Sequence, residues 1–177
     1  MWIYVVLSII ILFVAIIFTV MIVTKNKFQV LVIKINEAEE NIELLLKEKY
    51  SLLVNVCNVM KNKNNDNSFE GIESLNIDEL DHFELNENLS KYDNSVIELS
   101  EFNKDIEFSD EEKLLFDKLA DNNVNCLATM KYYNDNVTKF NSLIESFPSS
   151  IVAKFKKFKS KNLYKNEKEE IFEILKK

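Results

Sequence analysis

Residues 2–23 read WIYVVLSIIILFVAIIFTVMIV, and Lys25 and Lys27 follow at once. No charged side chain interrupts the run. A helix needs about 20 apolar residues to cross a bilayer, and this one reaches that length. A cleaved signal peptide has a basic start, an apolar core of about 7–15 residues and a small-residue cleavage site. Here the core is longer, nothing basic precedes it, and Thr19-Val20-Met21 offers no such site. The expectation is an uncleaved anchor over residues 1–24. Trp2 and Tyr4 stand at one end, where amphipathic rings favour the headgroup layer. Phe13, Phe18 and Val23 fall within the span; Lys25, Lys27 and Lys34 lie beyond it. Lysine-rich flanks stay in the cytoplasm. The sequence therefore predicts a single pass through the cell membrane, a short external N-terminus and a cytoplasmic body, residues 25–177.

That body is one domain's worth of chain. The whole sequence carries a net charge of −7, and its 22 basic residues are all Lys. Phosphate and nucleic-acid readers favour the Arg fork, so nucleic acid is not expected as a partner. One Gly (Gly71) and one Pro (Pro148) are too few for turn-dense β folds or Gly-rich phosphate loops. An all-α fold is predicted. Cys57 and Cys126 each fall in an apolar helical stripe and read as reduced core residues.

From Phe28 to Met60 apolar residues recur at helical spacing: Leu31, Ile35, Ala38, Ile42, Leu45, Leu52, Val56 and Val59. The steps are those of a coiled-coil-like seam. No breaker separates this stretch from the apolar run, which leaves one continuous helix, or a bend near Thr24, as alternatives. The polar run from Lys61 to Ser68 reads as the start of a loop, about 61–76. A second helix is expected from about Ile77 to Phe102, striped by Leu85, Leu89, Tyr92, Val96 and Leu99. Ser109-Asp110-Glu111-Glu112 is a capping-box signal opening a third helix. Its stripe runs Phe116, Leu119, Asn123, Cys126, Met130, Tyr133, Val137, Phe140, Ile144, with Asn123 as the lone polar member. Phe147-Pro148 then breaks the chain. Ser149 or Ser150 is placed to cap a short helix bearing Ile151, Val152 and Phe155. A last amphipathic piece, about Asn166 to Lys177, carries Ile171, Phe172, Ile174 and Leu175. The predicted architecture is an N-terminal transmembrane helix, then an antiparallel bundle of three long helices plus short C-terminal helices.

Residues 132–159, YYNDNVTKFNSLIESFPSSIVAKFKKFK, are less generic. They resemble the signature of the LemA family through Tyr132, Tyr133, Asn134, Val137, Phe140, Asn141, Phe147, Pro148, Ala153 and Phe158. Residues 34–62 resemble that family's first helix through Glu37-Ala38, Ile42, Leu46-Lys47, Leu52-Leu53 and Asn55. The chain departs from the pattern at Val54, where Pro is usual, at Met130, where Arg is usual, and at Asn123, where an acid is expected. The resemblance implies a bacterial, membrane-anchored helical bundle with no established catalytic mechanism.

Candidate sites are few. Glu79-x-x-His82 has the spacing of di-iron bundles, but those need a second such pair and further Glu, and the chain has one His. A serine hydrolase would need that same His82 as base. Glu37, Glu39 and Glu40 read as a solvated helix face. Asn134 and Asn141, seven apart, share a face and are expected to bond between helices near the core; a ligand or partner groove is the alternative. Lys154, Phe155, Lys156, Lys157, Phe158, Lys159, Lys161 and Lys165 form a basic run with aromatics between. It is either a solvated face or a patch for lipid or a partner. No cofactor, metal site or catalytic group is expected. The sequence reads as a non-enzymatic scaffold that offers its bundle to an unidentified protein partner at the inner membrane face. The alternative is a membrane-organising protein acting through self-association, as a homo-oligomer, or through the basic run.

Overall fold

The computed structural model describes residues 1–64, 69, 71–102 and 107–164. Regular structure among them is all helical: α1 (Trp2–Asn64), α2 (His82–Phe102), α3 (Asp110–Glu145) and α4 (Ser149–Lys156). The expected piece over 166–177 and Lys165 of the basic run lie outside the described residues. The chain divides into two compact units. One is Met1–Glu37 with Tyr132–Lys177; the other is Ala38–Lys131. α1 and α3 contribute to both.

α1 contains neither Gly nor Pro, so nothing removes a ladder bond or unlocks the backbone. It passes Thr24 without interruption and continues beyond Lys61 to Asn64. Lys63 accounts for the extra turn: its Nζ donates to the Glu107 carbonyl at 2.7 Å and pairs with Glu112 at 2.8 Å. α2 starts at His82, five residues later than the apolar pattern suggests. Asp81 sets that start, because its Oδ1 accepts from the amides of Phe83 and Glu84 at 2.8 and 2.9 Å. The capping box of α3 forms as its residues predict. The Ser109 amide donates to Glu112 Oε2 at 2.7 Å and the Glu112 amide to Ser109 Oγ at 3.3 Å.

In the unit Ala38–Lys131, α3 runs antiparallel to α1: Lys63 meets Glu112, while Asn122 reaches Leu45 and Glu48. The seam of α1 differs in register from the one the sequence suggested. Leu45, Leu52 and Val59 are only half-buried, whereas Leu46, Leu53 and Met60 are fully buried. The reason is two consecutive steps of four, Ala38 to Ile42 to Leu46, which rotate the buried stripe by one position. Beyond them the inward sequence is Leu46, Lys49, Leu53, Val56, Met60. Lys49 thus occupies a core position and is paired with Asp93 of α2 at 3.0 Å, both side chains largely covered. Asn123 Nδ2 donates to the other oxygen of Asp93 at 3.0 Å. On this part of α3 Asn122 is buried and Asn123 half-buried, and Asn122 donates to the Leu45 carbonyl and Glu48. Gly71, at φ +107°, turns the chain so that Phe69 and Ile72 fill the core on either side of it. A side chain there would meet the Tyr92 hydroxyl at 3.3 Å.

In the unit Met1–Glu37 with Tyr132–Lys177, Phe28 and Ile35 of α1 pack with Tyr133, Val137 and Phe140 of α3 and Val152 and Ala153 of α4. α3 again runs antiparallel to α1, with Val23 and Ser146 at one end of a shared groove and Leu31 and Thr138 at the other. The apolar side chains from Trp2 to Val23 have no such cover, and most are more than half exposed.

Candidate functional site

The residues of the 132–159 stretch converge on one task, holding the chain after α4 against α3. α4 ends at Lys157, in the left-handed region at φ 55°, its amide bonded back to Ala153 and Lys154. This reverses the chain. The segment after it then runs back along α3. Asn141 holds Lys161 twice: Nδ2 donates to the Lys161 carbonyl at 2.9 Å, and Oδ1 accepts its amide at 3.0 Å. Asn134 holds Tyr164 in the same way, at 2.9 Å in both directions. Each carboxamide thereby substitutes for a neighbouring strand.

The spacing explains the pair. Seven residues of helix advance about 10.5 Å, and three residues of extended chain about 10 Å. Asn134 and Asn141 therefore match Tyr164 and Lys161 only if the intervening backbone is nearly stretched. Tyr133 adds a third hold, its hydroxyl donating to the Asn162 carbonyl at 3.2 Å and its ring lying edge-on to Tyr164 at 5.2 Å. Phe28, Phe140 and Phe158 close the base of the clamp, with ring centroids 5.0–5.6 Å apart. The Phe28–Phe140 and Phe140–Phe158 contacts are edge-to-face, and such contacts add about 0.5–1.5 kcal/mol beyond area burial.

The sequence expectation for Asn134 and Asn141 is corrected in one respect. They face a non-helical backbone segment rather than a second helix. No periodicity signals such a partner, because an unpaired stretch of backbone leaves no pattern in side-chain chemistry. The short helix also differs in its start. Pro148 occupies the cap position without a side-chain cap bond, and Ser149 Oγ instead donates to the Ser146 carbonyl at 2.8 Å.

The basic run divides. Lys154, Lys156, Lys157 and Lys159 are exposed, Lys161 is half-buried by its place in the clamp, and Phe158 turns inward. Phe155 points out at 78% exposure, as do Phe147 at 83% and Tyr132 at 44%. An open groove of about 720 Å³ runs between α1 and α3, lined by Val23, Lys27, Val30 and Leu31 on one side and Leu143 and Ser146 on the other. Among the anchor residues, Trp2, Tyr4, Phe13, Phe18 and Val23 are exposed, as are Lys25 and Lys27.

In the other unit, burial pushes the Cys57 thiol up to about 12 and the Cys126 thiol up to about 11. A nucleophilic thiol is held below its ordinary value, so both read as core. Glu79 lies in a turn while His82 opens α2 against the Phe83 ring, so the two do not make a helical pair. Glu37 and Glu40 are exposed and Glu39 half-buried.

These features define a class: among the described residues, an all-helical fold with one helix long and apolar enough to cross a membrane, in which paired asparagines clamp the segment after α4. The chain belongs to the LemA family, whose model matches residues 38–174. That match takes in the seam of α1 from Ala38 onward and the asparagine clamp, but not Phe28 or the apolar run. No curated protein and no solved structure matches the chain.

Proposed function

We propose that this protein is a non-enzymatic, single-pass membrane protein that holds a helical body at the cytoplasmic face and offers it to protein partners. One observation carries the reading. The apolar part of α1, with mean hydropathy 3.3, is uncovered by the protein itself, and apolar area of that extent is stable only in lipid or against another protein. Lys25, Lys27 and Lys34 favour a body on the cytoplasmic side. The clamp supports a structural rather than a chemical role for the 132–159 stretch, since its polar groups are consumed by backbone bonds. Bare apolar residues in the unit Ala38–Lys131, Leu44 and Val124 among them, are the natural points of partner contact.

The test is site-specific photocrosslinking in living cells, with the full chain carrying a photoreactive residue at position 44 or 124. A recurrent protein adduct from the membrane fraction is expected. Adducts with lipid alone, or recovery of the chain in the soluble fraction, would overturn the reading. A bilayer-organising role through the basic run has its own support in the lysines of α4.

A further inference from the structure

We propose that α4, with Phe147 before it, is a membrane-surface docking element whose bare apolar row lies in the headgroup layer of an anionic bilayer. This rests on the reading above, that α1 crosses the membrane.

The row is Phe147, Ile151 and Phe155, exposed by 83, 43 and 78%. Ile151 and Phe155 are four apart on α4 and so share one face. The other face is occupied, because Val152 and Ala153 are buried in the unit's core. α4 is thus apolar on two sides, and only one is used by the protein. Lys154, Lys156, Lys157 and Lys159 are exposed around it. No acidic residue occurs from Phe147 to Tyr164, although the chain as a whole carries a charge of −7. A helix that lies in the interface has this make-up. Aromatic and aliphatic side chains enter the acyl boundary while lysines extend to the headgroups.

The fold also puts the row at the right level. Ser146, the residue before Phe147, lines the same groove as Val23, and Val23 is the last residue of the apolar run. The antiparallel course of α3 therefore returns the chain to the point where α1 leaves the hydrocarbon. The basic run, which a bundle standing on its anchor would carry away from the lipid, is brought back to it. The charge, the bare rings and the continuity with the anchor all select one occupant, an anionic lipid surface.

The test uses the full chain in vesicles. Trp2 is the only tryptophan, so W2F/F155W places a single reporter on α4. The vesicles are phosphatidylcholine with or without phosphatidylglycerol, containing lipids brominated either near the headgroup or deep in the acyl chain. The expected result is blue-shifted emission quenched more strongly by the shallow bromine, with anionic vesicles giving the larger effect. Adding K154Q, K156Q and K157Q should weaken it. At about fivefold per surface lysine, the docking equilibrium shifts on the order of a hundredfold. Water-like emission that bromine does not quench would overturn the proposal. So would a blue shift without bromine quenching, which would mean that a second copy or another protein covers the row. Flotation after carbonate extraction separates the two readings. A chain that floats but is not quenched refutes the docking element alone, and a chain that does not float refutes both.

Discussion

Changing Asn141 to Ala removes one donor and one acceptor from the Lys161 peptide group and leaves the rest of the clamp in place. A hydrogen bond contributes about 0.5–1.5 kcal/mol net, so two contribute about 1–3 kcal/mol. The freed carbonyl and amide are only part-buried and regain water, which favours the lower half of that range. At 1.4 kcal/mol per tenfold, a loss of about 1–2 kcal/mol means that the Lys161 amide should exchange with solvent about 5 to 30 times faster. Asn134→Ala should do the same to the Tyr164 amide. The double variant should depart from additivity, because both residues hold one short segment. The assay is native-state hydrogen exchange on the full chain in nanodiscs. Asn136→Ala is the control, since Asn136 donates to the Tyr132 carbonyl within its own helix and does not touch the segment. Wild-type exchange at Lys161 and Tyr164 in the double variant would refute the clamp. So would an equal acceleration by Asn136→Ala.

Four other outcomes are expected. Lys49→Met strands Asp93 beside Asn123 and should destabilise the fold by about 3–5 kcal/mol, while K49M/D93L should recover most of that loss; denaturant melts of the two variants check it. Cys57 and Cys126 should react with iodoacetamide at pH 8 only after unfolding. Because their folded values are raised, the unfolded thiols ionise first, and stability should fall as pH climbs from about 8.5 toward the folded values of about 12 and 11. Ser109→Ala should lower stability by about 1 kcal/mol through the lost cap. Lys63 and Ser109 hold the Glu112 carboxyl below its usual value. Its stabilisation is therefore complete above the ordinary carboxylate range and lost as pH drops through the lowered value, which a pH series of melts on E112Q and wild type would reveal.

Most of the fold was legible because helices announce themselves by period. The apolar run and the capping box at Ser109 use local signals, and the structure forms each from those residues; the seam of α1 forms as a helical stripe, shifted by one position beyond Ile42. Two parts were not legible. Lys49 in the core carries no sequence mark, since lysine is ordinarily exposed and its partner Asp93 is distant in the chain. The shift from Leu45 to Leu46 follows from a single extra step of four, which period counting absorbs as scatter. For the candidate site, the sequence put Asn134 and Asn141 on one face and Tyr133 and Phe140 in the apolar stripe of α3. It missed what that face holds, because the partner is backbone. Phe147 and Phe155 were noted for family pattern and helix stripe; only the packed structure reveals that their rings face outward.

The continuity of α1 and α3 through both units has a consequence for the order in which the chain is made. Phe28 leaves the ribosome about 110 residues before Phe140, on the order of ten seconds earlier at ordinary synthesis rates. On the proposed reading, in which α1 enters the membrane, the bilayer captures the N-terminal apolar run during that interval, while Phe28, Ile35 and Ile42 have nothing to pack against. On the same reading, the tether keeps a nascent, half-covered helix away from other chains until α3 emerges to cover it.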